Sequence, residues 1–178
     1  MIAADNGHEG SEDIWVIKKG QSEEVAIIAA HYDKTGEESQ GVIDNASGVV
    51  VVASVARFIK HIQTNLTYIF LFYGAEEVGN TWGSCLFNRS KLHNPIKYVV
   101  EVEGGGLIDA RQTFSLSQSK YLGWLHFRFP QLRINETGGP TDYLKHTAKD
   151  NINVCDFFRL VESQNRLLEI VLAIEENI

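Results

Sequence analysis

Two adjacent carboxylates, Glu76 and Glu77, follow a continuous apolar run and a Gly74-Ala75 pair. A charged loop accounts for two neighbouring glutamates. The other reading divides labour between them. One ligates a divalent metal ion, and the other, just outside the coordination shell, takes a proton from a water that the metal activates. That chemistry requires further ligands, for which the chain offers His31, Asp44, Glu103 and His146. All are nitrogen or oxygen donors, a set that suits zinc or a similar divalent ion. A lone histidine at a strand end is commonly structural, but Asp33 lies two residues beyond His31 and is placed to orient its imidazole. Strand alternation puts Glu101 and Glu103 on one face of their segment. Two such charges are costly to bury unless a cation or hydrogen-bond donors meet them, and exposure at the strand's end is the alternative.

These residues sit at the ends of predicted elements. Residues 67–73, Thr-Tyr-Ile-Phe-Leu-Phe-Tyr, are short and apolar enough for a central strand buried on both faces. Residues 13–18, 24–30 and 96–103 read as further strands, with 111–117 as an edge strand. Helices are expected over 49–62, 82–92 and 154–174, the last with a strong apolar stripe. Segment 120–129 is ambiguous between helix and strand, and 131–140 reads as loop. Asp44, Asn45 or Ser47 is a candidate N-cap for the first helix, and Asp150, Asn151 or Asn153 for the last. The alternation of strands and helices implies an α/β sandwich with a largely parallel sheet. In open sheets of this kind ligands bind beyond the carboxyl ends of the strands, where His31, Ala75 and Glu103 fall.

At 178 residues the chain is long enough for one domain with a real hydrophobic core. Its formal charge of −7, from 23 acidic against 16 basic residues, argues against a nucleic-acid surface. Cys85 and Cys155 are too few for a disulfide framework and are read as free thiols. No segment reads as a membrane span, and the N-terminus lacks the pattern of a signal peptide. Asn-x-Ser/Thr triplets occur at Asn45, Asn65, Asn88 and Asn135, and carry meaning only in a glycosylating pathway.

Five stretches occur in characteristic order: Ala30-His31-Tyr32-Asp33, Asp44-Asn45-Ala46-Ser47-Gly48, Gly74-Ala75-Glu76-Glu77-Val78-Gly79, Glu101-Val102-Glu103 with Gly106, and His146-Thr147-Ala148-Lys149-Asp150. In this the chain resembles the co-catalytic zinc aminopeptidases, the leucyl aminopeptidase-like group that also includes the glutaminyl cyclases, from about residue 23 to the C-terminus. The resemblance implies a three-layer sandwich of the phosphorylase/hydrolase-like type with a central, largely parallel mixed sheet. It implies two zinc ions bridged by Asp44, one also held by His31 and Glu103, the other by Glu77 and His146. Glu76 would be the general base, Asp33 would orient His31, and the peptide bond after Asp44 would be cis. Glu101 would offer rim charge to the α-ammonium of a peptide with a free N-terminus.

The expected activity is removal of N-terminal residues, with neither nucleic acid nor membrane as partner, in an extracellular or periplasmic setting. Three departures stand out. Glu103 occupies a position where many members have Asp, the segment between Glu103 and His146 is short, and the chain starts almost at its first matching strand, so a shortened N-terminus is expected. The rivals are a single-zinc glutaminyl cyclase built on Asp44, Glu77 and His146, and a non-catalytic binding domain of the same fold.

Overall fold

The computed structural model describes residues 2–5, 11–79, 95–107, 111–117, 131–137 and 141–177. Seven strands form one mixed sheet: β1 (Ile2–Asp5), β2 (Glu12–Lys18), β3 (Val25–His31), β4 (Thr67–Tyr73), β5 (Ile96–Glu103), β6 (Arg111–Ser117) and β7 (Gln131–Thr137), in the order β1-β2-β4-β3-β5-β7-β6. The centre is parallel, with β3 between β4 and β5 and with β7 beyond β5, whereas the outer pairs β1-β2, β2-β4 and β6-β7 are antiparallel. The expected edge strand is present as β6. Residues 131–137, read as loop, form strand β7 instead. Leu132 and Ile134 alternate with Gln131, Arg133 and Asn135, a short period-two pattern that Glu136 breaks.

Every residue of β3 is buried, as a strand covered on both faces requires. On one face Ala26, Ile28 and Ala30 join Tyr68, Phe70, Val100 and Val102 beneath two helices. These are α1 (Ser47–Ile59) and the long C-terminal helix (Phe157–Glu176). The first buries Val51, Val52, Val55 and Ile59 at helical spacing, and the second buries Leu167, Val171 and Ile174. Each fully buried aliphatic side chain contributes about 1.5–3 kcal/mol. The opposite face carries Trp15, Ile27, Ala29, Ile69, Leu71 and Tyr73 in a second buried cluster. The helix expected over 82–92 and the ambiguous segment 120–129 lie outside the described residues.

Against expectation, the stretch Val42–Ile59 is long and apolar enough by composition to cross a membrane. Half of it is buried inside the protein, and its first turn is broken by non-helical angles at Asp44 (φ −119°, ψ 85°) and Asn45 (φ −141°, ψ 35°), so it serves as a core helix.

The parallel register sets the site. His31 pairs with Tyr73 across β3 and β4, so Gly74 to Glu77 emerge beside it. Ala29 pairs with Glu101 across β3 and β5, which brings Glu103, two residues on, level with His31.

None of the expected side-chain caps holds α1, because Asp44 and Asn45 are used elsewhere. Asn45 Nδ2 donates to Val102 O (2.9 Å), and its Oδ1 accepts from Gly104 N (2.8 Å). Its side chain is thus a clamp between the start of α1 and the end of β5, buried and closed to glycosylation. Gly48 makes room for it, since a Cβ there would overlap Asn45 Oδ1 and lie 2.9 Å from Val102 O. Gly48→Ala is therefore expected to cost about 1–3 kcal/mol through overpacking, read as a lowered urea midpoint at unchanged slope. An unshifted midpoint would show that the clamp yields without cost.

Candidate metal centre

Five side chains from five separate segments meet at the carboxyl edge of the sheet. Asp44 lies between two donor groups, its carboxylate only 4% exposed as a residue. Its Oδ1 is 3.2 Å from His31 Nε2, and Glu103 Oε2 approaches the same nitrogen at 3.6 Å. Its Oδ2 is 3.1 Å from His146 Nε2, which Glu77 Oε2 also approaches at 3.1 Å. Donor atoms of His31, Asp44 and Glu103 lie within 4.8 Å of one another, as do those of Asp44, Glu77 and His146. His31 with Glu76 and Glu77 forms a third such group. The structure therefore brings together all five ligands expected from the sequence, with Asp44 shared between two sets and Glu76 adjoining both.

Local backbone geometry makes this possible. The Asp44–Asn45 peptide is cis, in agreement with the expectation. The turn leading into it is held by Asp150, fully buried, whose Oδ1 accepts from Ile43 N (2.7 Å) and Oδ2 from Asp44 N (3.1 Å). Asp150 thus supports the shared carboxylate. It does not cap the last helix, a role taken by Asp156, which accepts from Phe158 N and Arg159 N. Asn151 caps only the short turn Ile152–Val154, accepting from Asn153 N.

Ala75 and His146 both adopt left-handed backbone (φ 62° and 61°), sparsely populated by residues other than glycine and commonly found at functional sites. At His146 this lets two consecutive side chains, Lys145 and His146, reach Asp44 from one turn.

Asp33 Oδ1 lies 3.4 Å from His31 Nδ1, and its Oδ2 accepts from Glu77 N (3.0 Å). It therefore ties the orientation of His31 to the loop that carries the glutamate pair. Glu101 departs from expectation. It is buried and accepts a hydrogen bond from Tyr73 Oη at 2.7 Å, so it is part of the strand packing and not of a rim. Lys145 was not singled out in the sequence. Its Nζ lies 2.8 Å from Glu103 Oε1 and 3.5 Å from Asp44 Oδ1, and its position immediately before a metal-type histidine was the available signal.

The electrostatics follow from crowding carboxylates around a buried imidazole. Burial disfavours the charged form of His31, but Asp33, Asp44 and Glu103 outweigh it and push its pKa up to about 12. Burial would raise Glu103, yet His31 and Lys145 hold it well below the ordinary carboxylate range. Glu76 is raised by burial and by the nearby carboxylates of Glu103, Glu77 and Asp44, against the pull of His31. Glu77 is raised by burial and by Asp44. Asp33, despite burial, is lowered by His31 and by the backbone N–H groups of Glu77 and Glu76.

The residues fit a divalent metal. His31 Nε2 and Glu77 Oε1 are buried without a hydrogen-bond partner in the described structure, and both belong to groups of converging donors. An ion at these positions would replace the proton that the carboxylates otherwise hold on His31.

The sequence profile of peptidase family M28 matches residues 14–122. The chain belongs to this family. Among curated proteins, a vacuolar membrane protease of Saccharomyces cerevisiae is 38% identical over 89 residues, covering 49% of this chain and 9% of that protein. Among solved structures, the Legionella pneumophila aminopeptidase LapA superposes with a TM-score of 0.78 at 18% identity, covering 98% of this chain and 57% of LapA. BSAP, a zinc aminopeptidase from Bacillus subtilis, gives 0.69 at 17% identity, covering 92% and 50%. A Bacteroides thetaiotaomicron glutaminyl cyclase bound to N-acetylhistamine also gives 0.69 at 17% identity, covering 89% and 76%. The chain thus spans less than a tenth of the yeast relative and about half of the two aminopeptidases, and the structural likenesses establish the α/β fold of this M28 chain.

Two outcomes are expected from this geometry. Asp150→Ala leaves the N–H groups of Ile43 and Asp44 buried without an acceptor, and should cost about 2–6 kcal/mol in a denaturant titration, at about 1–3 kcal/mol per group. In metal-stripped protein, His31 has a folded pKa above its unfolded value of 6.5. Its contribution is complete below pH 6.5 and is lost as pH rises toward 12. The raised Glu76 and Glu77 act in the same direction from 4.5 upward. Stability of the stripped protein should therefore fall between pH 6 and pH 9 in denaturant melts. A rise over that interval would contradict the assignment of charge in the cluster.

Proposed function

We propose that this chain is the catalytic core of a zinc-dependent aminopeptidase. The observation that carries the reading is the division of Asp44's two oxygens between two donor groups, His31 with Glu103 and His146 with Glu77, beside the unassigned carboxylate of Glu76. Membership of a peptidase family and the likeness to zinc aminopeptidases support it. His31, Asp44, Glu77, Glu103 and His146 would hold the metal, with Asp44 shared. Zinc bound there would polarise the scissile carbonyl and lower the pKa of the attacking water toward neutrality.

The remaining work falls to the chain's own residues. Glu76, half-buried and raised in pKa, takes the proton from the attacking water and returns it to the departing amine. Asp33 keeps His31 oriented through Nδ1 and fixes the backbone of Glu77. The concentration of carboxylates favours a substrate end that carries an α-ammonium over a blocked one.

A second reading, a single-zinc glutaminyl cyclase using Asp44, Glu77 and His146, draws on one specific feature. Lys145 engages Glu103 and Asp44 on the other side of the shared carboxylate. Peptides with N-terminal Leu or Gln separate the two. An aminopeptidase releases the free amino acid from both, and a cyclase converts only the Gln peptide, releasing ammonia.

Glu76→Gln should lower turnover by about 10²-fold or more while zinc content stays that of the wild type, since only the proton carrier is removed. Activity within a few-fold of wild type would remove Glu76 from this role. Loss of zinc together with activity would make it a ligand.

A further inference from the structure

The two halves of the site differ in one respect that the donor sets alone do not suggest. Lys145 Nζ lies 3.5 Å from Asp44 Oδ1, the same oxygen that faces His31 Nε2, and 2.8 Å from Glu103 Oε1. An ammonium therefore already sits against two of the three side chains of the His31, Asp44 and Glu103 group. The Asp44, Glu77 and His146 group meets an ammonium, among the described residues, only at Asp44 Oδ1, the oxygen that faces His31 and not His146. Among the described residues, Glu77 Oε2 pairs only with His146, and Asp44 Oδ2 faces His146 alone. The lysine is held by the same turn that presents His146, with a quarter of its side chain exposed.

We infer that Lys145 is a built-in cation that makes the two zinc positions unequal, so that the Asp44, Glu77 and His146 position fills first and the His31, Asp44 and Glu103 position fills only against the lysine. The inference rests on the zinc reading of the site. An ammonium and a zinc ion compete for the negative potential of the same carboxylates. A zinc ion entering beside Lys145 must either displace its ammonium from Glu103 and Asp44 or share them with it, and both lower affinity on that side. The chain carries its own occupant for the second position, a regulatory asymmetry set by one residue.

The test is a zinc titration of the whole chain, stripped of metal and followed by calorimetry against a competing chelator. The variants are Lys145→Met, Lys145→Arg and, as a control for loss of a nearby exposed charge, Lys149→Met. Wild type should bind one ion at least tenfold more tightly than the second. Lys145→Met should tighten the second ion at least tenfold and leave the first within about threefold, whereas Lys145→Arg and Lys149→Met retain the wild-type inequality. Circular dichroism checks the fold, and Lys145→Gln stands in if the Met variant is unfolded. Two ions of equal affinity in the wild type, or a second ion unmoved by Lys145→Met and Lys145→Gln, would overturn the inference and leave the zinc reading intact. Absence of any zinc binding by folded wild type would overturn both.

Discussion

The shared carboxylate of Asp44 is the constraint on which the rest of the site depends. One side chain must present two oxygens in two directions, each to a different histidine, while staying buried. A free carboxylate would rotate. Here the backbone before it is fixed by Asp150, which accepts from two successive N–H groups, and the residue after it is pinned by the two hydrogen bonds of Asn45 to the end of β5. The buried polar groups of Asp150 and Asn45 are satisfied, which is the condition for such a network to rigidify its surroundings and not weaken them. Stability and chemistry meet in the same atoms.

The sheet supplies the second half of this arrangement. Because β3, β4 and β5 run parallel and in register, their carboxyl ends deliver His31, the Glu76-Glu77 loop and Glu103 to one edge without a long excursion of chain. Fully buried strands tolerate few polar residues, so the change from apolar run to charged group happens within one to three residues: Ala30 to His31, Tyr73 to Glu76, Val102 to Glu103. The cost of gathering carboxylates near a buried imidazole is offset by the positive charge they hold in place, on His31 and Lys145.

Strand β4 was legible because burial on both faces writes itself as an uninterrupted apolar run, and residues 67–73 coincide with it; residues 96–103 coincide with β5 although Lys97 and Glu101 interrupt its apolar residues. Strand β7 was not, because Arg133, Asn135 and Glu136 break the apolar signal, and pairing with β5 and β6 is a tertiary effect that a local pattern does not carry. The five converging donor side chains were singled out through the ordered motifs. The supporting residues were misread for a common reason: Asp and Asn near a helix start read as caps, and only the fold reveals that Asn45 and Asp150 use the same hydrogen-bonding capacity to hold backbone across the chain. Glu101 was misread by the opposite route, since alternation places it with Glu103 but does not say that Tyr73 waits to donate to it.

Two features of the site, one a departure expected from the family resemblance and the other passed over in the sequence, look like defects when taken separately, and the structure joins them. Glu103 stands where a shorter Asp is common, and Lys145 precedes the histidine that faces Glu77. The extra methylene extends the Glu103 carboxylate so that Oε2 faces His31 while Oε1 meets Lys145. A shorter side chain on the same backbone would reach less far toward the lysine. Glutamate and lysine thus form one unit: the longer acid binds a fixed cation with one oxygen and keeps the other for the imidazole side of the site. The negative charge that Glu103 adds is partly neutralised at its source, and that leaves Asp44, Glu77 and His146 as the half whose charge is least compensated.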